Sequence, residues 1–177
     1  MKLSKEFKEI KGDASFRKFY RNTKKNSIIV FANKEKSKNL LIYDSINKIL
    51  IKNNLIAPKL LSQNYENNYI EIQDLGNKTI YQIFLKNKKN QYSIFKKIIN
   101  ILNKIQLIKD KKIKNFKNDT FVHRDFHVSN LVVNSKNQIG LIDNQDALIG
   151  NKAYDLASLI DDVRFKTSNS LKLKVYN

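Results

Sequence analysis

The spacing of apolar residues in this 177-residue chain changes near residue 76, and this change limits the fold more than any other feature. Before it, short alternating or β-branched runs predict strands, and one amphipathic stretch predicts a helix. After it, apolar residues recur mainly at helical spacing. The predicted strands are 15–21, 27–32, 59–65, 69–73, 120–122, 131–134 and 139–143, and the predicted helices are 38–52, 79–85, 91–108 and 153 to about 165. The pattern therefore predicts an α+β chain, with a polar and loose tail over 166–177.

Composition excludes several kinds of protein. The chain has no cysteine, so disulfide frameworks, zinc fingers and thiolate catalysis are ruled out. The first residues are polar and charged from Lys2 onward, without the apolar core of a signal peptide. No apolar run approaches the length that spans a bilayer. A cytoplasmic location without membrane contact is the resulting expectation.

The formal net charge of +18 raises the possibility of a nucleic-acid partner. The positive charge is almost all lysine, however, and it is spread through every segment. Surfaces that read phosphates or bases favour arginine, because its guanidinium binds such groups in a bidentate way. The arginines here are only Arg17, Arg21, Arg124 and Arg164. We therefore expect a general attraction to anions and no specific nucleic-acid partner.

One block of residues carries the pattern of a phosphoryl-transfer site. Residues 123–130 read H-R-D-x-x-x-x-N, and a short apolar strand then ends at Asp143. In this motif Asp125 accepts the proton of the attacking hydroxyl, while Asn130 and Asp143 bind Mg²⁺, which prefers oxygen ligands. The alternative is that these three residues lie in ordinary turns between strands. Their joint spacing favours the site.

Four stretches together resemble the aminoglycoside phosphotransferase and choline kinase family, and most closely its bacterial amino-sugar kinases, which act on N-acetylmuramate or N-acetylglucosamine. The stretches are Gly12 to Arg17, Gln73 to Gly76, His123 to Asn130, and Ile142 to Ala147 followed by Tyr154 to Leu159. The resemblance implies a protein-kinase-like fold with two lobes, ATP and Mg²⁺ as cofactors, and a small hydroxylated substrate. It places an antiparallel-sheet N-lobe at residues 1–75 and a mainly helical C-lobe, shortened at its end, at residues 76–177.

The resemblance also favours a small acceptor over a protein acceptor. Protein kinases carry a lysine two residues after the catalytic aspartate, whereas the small-molecule branch commonly has the histidine found here as His127. Between Asp143 and Asp155 there is only a short turn and no A-P-E sequence. A regulated activation segment therefore has no room, and the expected partner is a sugar-like small molecule.

The resemblance implies roles for the remaining candidate residues. A turn over the phosphates would use Gly12, Asp13 and Ser15, although a plain hairpin turn explains one glycine equally well. The backbone of Gln73 to Leu75 would meet adenine. Supporting roles around the catalytic loop fall to His123, Arg124, His127, Asp146 and Asp155, where Asp155 would brace the loop from a helix start.

The sequence departs from the family at four points. The strand 27–32 lacks the usual ATP-anchoring lysine, and Lys34 lies just beyond it. The following helix offers only Glu35 and Asp44 as acids, so no lysine–glutamate pair is assigned. Residue 144 is asparagine where relatives usually carry an aromatic, which predicts lost apolar packing beside Asp143. The chain is also shorter than family members.

These observations leave three hypotheses for the function. The first is an ATP-dependent phosphotransferase that acts on a hydroxyl of a small molecule, with an amino sugar as the expected acceptor. The second is a nucleotide-binding remnant of the family with weak or no catalysis, suggested by the short C-terminal part and by Asn144. The third is a basic nucleic-acid-binding protein, suggested by net charge alone.

Overall fold

A computed structural model describes residues 6–10, 16–33, 38–86, 90–108 and 120–176. Its N-terminal part is an antiparallel sheet in the order β1-β2-β3-β5-β4, with one helix between β3 and β4. The elements are β1 (Phe7–Ile10), β2 (Arg17–Asn22), β3 (Ser27–Ala32), α1 (Lys38–Lys52), β4 (Leu60–Asn64) and β5 (Tyr69–Gln73). The order of the four strands and the helix that were expected is found, and β1 is added at the edge of the sheet.

One face of this sheet packs on α1. Val30 and Ala32 of β3 and Ile70 of β5 are fully buried, and they contact Leu40 and Tyr43 of the helix. Alternate residues of a strand point to the same face, and residues at helical spacing share one side of α1. The sheet and helix therefore bury one small core, which fixes the side of α1 that faces the strands.

The remaining chain forms helices and two short strand pairs. Its elements are α2 (Ile80–Lys86), α3 (Gln91–Gln106), β6 (Thr120–Val122), β7 (Leu131–Val133), β8 (Ile139–Leu141), β9 (Leu148–Gly150), α4 (Ala153–Ile160) and α5 (Asn169–Tyr176). Strand β6 pairs with β9, and β7 pairs with β8. A larger core gathers around Phe84, Phe95 and Phe126, which are fully buried. The α+β class with a sheet followed by a mainly helical part is therefore confirmed.

Two predictions about the C-terminal part are wrong. The last predicted helix ends at Ile160 rather than near residue 165, because Asp162 accepts a hydrogen bond from the backbone N–H of Arg164 and forms a turn in place of another helical turn. The tail is not loose, since residues 169–176 form α5 and Leu171 is buried in the larger core. Leu171, Leu173 and Val175 alternate with polar residues, which is not helical spacing, so tertiary packing decides the structure of this segment.

The segment after β5 lies close to the β7–β8 hairpin. A Cβ on Gly140 would come within 2.9 Å of side-chain atoms of both Ile56 and Leu75, so any larger residue would force these side chains to shift. The backbone N–H of Leu141 donates to the carbonyl of Ile56 at 2.7 Å. These contacts bring β8, and the turn that follows it, against the sheet. The division into lobes at residue 76 stays a prediction. In the part of the chain that the structure describes, no helix is long and apolar enough to cross a membrane.

Candidate active site

Asp155 holds the start of the loop 123–130. Its carboxylate, in the first turn of α4, accepts the backbone N–H groups of His123 at 2.7 Å and Arg124 at 2.9 Å. Arg124 has a φ of 74°, a left-handed conformation that is uncommon for residues other than glycine. The carboxylate thus stabilises a strained part of the backbone just before Asp125.

Burial and these hydrogen bonds shift the pKa of the Asp155 carboxyl in opposite directions. The side chain is fully buried, and desolvation raises the pKa of its carboxyl, whereas the two N–H donors favour the ionised form and lower it. Removing this carboxylate would leave two backbone donors without their acceptor. We therefore regard Asp155 as a positioning residue for the loop.

The backbone of Asp125 is fixed by three hydrogen bonds. Its N–H donates to His123 Nδ1 at 3.3 Å, and its carbonyl accepts from the N–H of His127 at 3.0 Å and from Asn130 Nδ2 at 3.1 Å. The side chain is half-buried. Among the described residues, nothing donates a hydrogen bond to its carboxylate. The loop therefore presents a fixed carboxylate that is able to accept a proton from a bound hydroxyl.

The side chain of Asn130 has a defined orientation. Its Nδ2 donates to the Asp125 carbonyl and lies 3.2 Å from Nε2 of His127, so this ring nitrogen is the acceptor. Both N–H bonds of the amide are used in this way, which leaves Oδ1 as the group able to meet a ligand. Burial, followed by the charge of Arg164, lowers the pKa of His127 and favours the neutral ring that accepts this hydrogen bond.

Asp143 lies next to Asn130 in the fold, although 13 positions separate them in the chain. The N–H of Ile142 donates to the Asn130 carbonyl at 3.1 Å, which ties the turn after β8 to the loop. Asp143 has a φ of 61°, a conformation that aspartate tolerates better than most residues. Its carboxylate is 3.6 Å from a guanidinium nitrogen of Arg17, which comes from β2.

Asp143 and Asn130 are suitable donors for Mg²⁺ bound together with phosphates. This ion takes oxygen ligands and is usually held by one or two protein groups plus phosphate oxygens and water. The described ranges contain no cluster of three or more histidine, cysteine, aspartate or glutamate residues suited to a metal. One carboxylate and one amide oxygen therefore fit an ion that arrives with a nucleotide, and they do not make a complete metal site alone.

Asn144 makes polar contacts at the position where relatives usually carry an aromatic residue. Its side chain is fully buried, and its Oδ1 lies 2.6 Å from His123 Nε2. Its Nδ2 donates to Asn47 Oδ1 of α1 at 2.8 Å and to the carbonyl of Leu141 at 3.2 Å. Because His123 Nδ1 accepts from Asp125, Nε2 carries the proton and donates to Asn144. Hydrogen bonds that link the loop, the turn and α1 thus stand where an aromatic side chain would give apolar packing beside Asp143.

Three polar residues form a stripe on α1 that faces this region. They are Asn39, Tyr43 and Asn47, spaced four apart and therefore on one side of the helix. Asn39 accepts a hydrogen bond from Arg17 at 2.6 Å. Tyr43 is buried beside Asn47 and the backbone of Asp143, and its pKa is raised by burial and by the charge of Asp143. The helix thus contacts β2, the turn after β8 and Asn144 of that turn.

The segment of Gln73 to Leu75 is fixed by β2 and its neighbours. The N–H of Gln73 donates to the Lys59 carbonyl at 2.8 Å and that of Asp74 to the Asn26 carbonyl at 3.0 Å. The carboxylate of Asp74 pairs with Arg21 and accepts from the N–H of Gly76 at 2.8 Å. Within the described residues, the N–H of Leu75 has no protein acceptor, so it is the donor of this segment that could meet a nucleotide base.

Some predicted residues fall outside the described part of the chain, and others lie away from this arrangement. Gly12, Asp13, Ser15, Lys34 and Glu35 lie outside the described residues. Asp146 is exposed, and Gln145 donates to its carboxylate at 3.0 Å. Asp44 pairs with Lys48 one turn along α1, so its hydrogen-bond partner is on its own helix.

The sequence prediction assigned no role to Arg17, Tyr43 or Asn47. Asn47 had a usable signal, because it interrupts the apolar stripe of α1 at a position expected to be buried. A buried polar side chain needs a partner, and this requirement points to a tertiary hydrogen bond. Arg17 had a weaker signal, as one of only four arginines in a lysine-rich chain. Neither signal identifies the partner.

Comparison with known proteins supports the fold and the block around the loop. A family model described as "Phosphotransferase enzyme family" matches residues 114–173. The fold is similar to that of aminoglycoside phosphotransferase APH(2'')-Ib with bound ADP, at 12% identity and a TM-score of 0.75, covering 97% of this chain and 77% of that chain. It is also similar to an aminoglycoside-3'-phosphotransferase of type VIII, at 8% identity and a TM-score of 0.72, covering 97% and 86%.

A third similar structure is the ternary complex of APH(2")-IIa with streptomycin and ATP, at 12% identity and a TM-score of 0.74, covering 97% of this chain and 77% of that chain. No curated protein matches the sequence. At these identities the structural likeness establishes the kinase-like fold of aminoglycoside phosphotransferases.

Proposed function

We propose that this protein is an ATP-dependent phosphotransferase that transfers the γ-phosphate to a hydroxyl group of a small molecule. The observation that carries the proposal is the convergence of Asp125, Asn130 and Asp143 at one place, held by buried hydrogen bonds. Catalysis of phosphoryl transfer depends mainly on positioning and charge stabilisation, which such an arrangement supplies. The kinase-like fold and the match to a phosphotransferase family model support the same reaction.

In this mechanism Asp125 acts on the acceptor hydroxyl. Its carboxylate hydrogen-bonds to the hydroxyl and takes the proton as the oxygen attacks the γ-phosphorus. A new bond forms between that oxygen and phosphorus, the bond to the bridging oxygen breaks, and ADP leaves with the electron pair. The backbone bonds of Asp125 to His123, His127 and Asn130 keep its carboxylate in place during the transfer.

Asp143 and Asn130 would hold Mg²⁺ against the phosphates. When bound, the ion neutralises the charge of the phosphate oxygens and aligns them. The residues of the chain then keep the two ligands in register, because the N–H of Ile142 donates to the carbonyl of Asn130. Asn144 holds the same turn against His123 and α1.

The acceptor that we propose is an amino sugar. Support comes from the resemblance of residues 142–147 to amino-sugar kinases, from His127 two positions after Asp125, and from the short connection between Asp143 and Asp155. Two of the similar structures are complexes of APH(2")-IIa with streptomycin or with gentamicin, and both are compounds with amino-sugar rings. A small polyhydroxylated molecule is consistent with each of these observations.

The test is phosphate transfer from Mg-ATP to a panel of amino sugars that includes N-acetylmuramate and N-acetylglucosamine. The Asp125→Asn variant should lose about 10²-fold to 10⁴-fold in kcat, because the amide cannot accept the proton. Its ATP affinity should stay within about twofold, since this side chain faces the acceptor. Asp161→Asn is the matched control at an exposed site. Equal turnover by wild type and Asp125→Asn would contradict the proposal.

The alternative, a nucleotide-binding protein without transfer, has a distinct result. Calorimetry would then detect Mg-ATP binding, while no acceptor in the panel would be phosphorylated. Failure to bind ATP at all would exclude both functions. Tight binding of a random oligonucleotide, falling steeply with salt concentration, would instead support the nucleic-acid hypothesis drawn from the net charge.

A further inference from the structure

Arg17 is a buried cation beside the proposed metal-binding turn. Its side chain is only 5% exposed, although the next residue of β2, Lys18, is exposed on the other face. One guanidinium nitrogen donates to Asn39 Oδ1 at 2.6 Å, and another lies 3.6 Å from Asp143 Oδ1. The charge is therefore held between α1 and the residue proposed to bind the metal.

The register of the sheet explains how this arginine reaches the site. Arg17 is directly opposite Ala32 in the β2–β3 pair, so their side chains lie on the same face. Ala32 is fully buried and small, which leaves space for the guanidinium over the end of β3. On this face, Ala32 of β3 carries no charge, and Arg17 of the neighbouring strand β2 supplies a positive charge.

A cation at this position is suited to phosphate. The metal held by Asp143 would itself bind phosphate oxygens, so a guanidinium 3.6 Å from that carboxylate is close to the same anions. Guanidinium groups bind phosphate through two parallel hydrogen bonds, and a partly desolvated site strengthens them. The Asn39 contact uses one donor nitrogen and fixes the plane of the group.

We propose that Arg17 is the phosphate-binding cation of this protein and takes the part of the lysine that β3 lacks, with Asn39 of α1 orienting it. This inference rests on the proposed function, since it assumes that a nucleotide binds at Asp143. It assigns the anchoring charge to β2 and the orienting group to an amide of α1. The affinity that Arg17 contributes should then increase with the number of phosphates on the nucleotide.

The experiment measures the affinity of the full chain for adenosine, AMP, ADP and ATP by calorimetry, with and without Mg²⁺. In Arg17→Met, the Kd for ATP and ADP should rise by about tenfold to hundredfold, because a charged hydrogen bond is lost. The Kd for adenosine should change by less than about twofold. Arg17→Lys should recover part of the loss, since it keeps the charge without the bidentate geometry.

Two controls separate this role from a general effect on folding. Lys18→Met removes a cation from the neighbouring exposed position of β2 and should leave all four affinities unchanged. Unchanged adenosine binding by Arg17→Met shows that the variant is folded. Asn39→Leu should weaken ATP binding in the same direction but by a smaller factor, because the guanidinium remains.

The outcomes distinguish this inference from the proposed function. If wild type binds ATP and Arg17→Met binds it equally well, the role of Arg17 is wrong and the phosphotransferase proposal stands. If Lys34→Met, and not Arg17→Met, loses affinity for ATP but not adenosine, the anchor is Lys34. If wild type binds no nucleotide, the proposed function itself fails. A loss that grows from adenosine to ATP only in Arg17→Met supports the inference.

Discussion

The side of the loop 123–130, here the loop side, and the sheet side of this protein contribute to the proposed site in different ways. On the loop side, Asp155, Asn144 and His123 are all buried and bonded to backbone or to one another. In the described part of the sheet, the long side chain of Arg17 reaches the site from β2. Buried hydrogen bonds therefore fix the geometry of the loop side. The sheet side instead supplies a positive charge on a long side chain that extends to the site.

The strongest test of the loop side is Asp155→Ala. The change leaves the backbone N–H groups of His123 and Arg124 without an acceptor, at about 1 to 3 kcal/mol for each buried group. We expect the free energy of unfolding to fall by about 3 kcal/mol, as measured by urea denaturation. The exposed Asp161→Ala should change it by less than about 1 kcal/mol. Similar losses of stability in the two variants would show that the buried carboxylate of Asp155 stabilises the fold no more than the exposed carboxylate of Asp161.

The next test uses pH. Burial lowers the pKa of both His123 and His127, so the unfolded chain binds more protons than the folded chain below about pH 6.5. The neutral histidines therefore contribute to stability above pH 6.5, and this contribution is lost as the pH falls toward their pKa values in the folded chain. Each contributes a slope of at most about 1.4 kcal/mol per pH unit.

Denaturation between pH 5 and 7 measures this slope. The variants His123→Asn and His127→Asn should each reduce it by up to one proton, and NMR titration should place both midpoints below 6.5. The raised pKa of Asp155 acts in the opposite sense, since its contribution is lost as pH rises. An unchanged slope in both histidine variants would show that neither ring is kept neutral by the loop.

A smaller effect is expected for the connection between the loop side and α1. In a double-mutant cycle, Asn144→Ala and Asn47→Ala should show a coupling energy of about 1 kcal/mol, because their side chains hydrogen-bond to each other at 2.8 Å. Asn103→Ala, at an exposed position of α3, should be additive with Asn47→Ala. Additive behaviour of Asn144 and Asn47 would mean that α1 and the turn after β8 are independent.

The smallest effects are expected on the sheet side. Arg21→Ala removes a pair with the buried carboxylate of Asp74 and should cost about 1 kcal/mol. Lys24→Ala removes an exposed pair with Glu6 and should cost below about 0.5 kcal/mol. Thermal unfolding of the two variants measures the difference. A larger loss of stability in Lys24→Ala than in Arg21→Ala would show that burial of Asp74 does not make its ion pair more stabilising than an exposed pair.

Much of the fold followed from local patterns. The strands 27–32 and 69–73 and the helix 38–52 were predicted with their observed bounds, because alternation and helical spacing reflect burial on one face. The segments β1, β9 and α5 were missed, since each is short and has too few apolar residues for a periodic signal. Packing against already formed elements stabilises them.

The sequence alone determined the candidate site and the class of chemistry that we propose, because Asp125 and Asn130 lie in one loop and Asp143 follows the next hairpin, and such spacing is a local property. Tertiary structure decided what surrounds them. Arg17 is 126 positions before Asp143, and Asn47 is 97 positions before Asn144, and no local pattern links either pair. Contacts over such separations depend on strand register and on how α1 packs, and these are properties of the folded core.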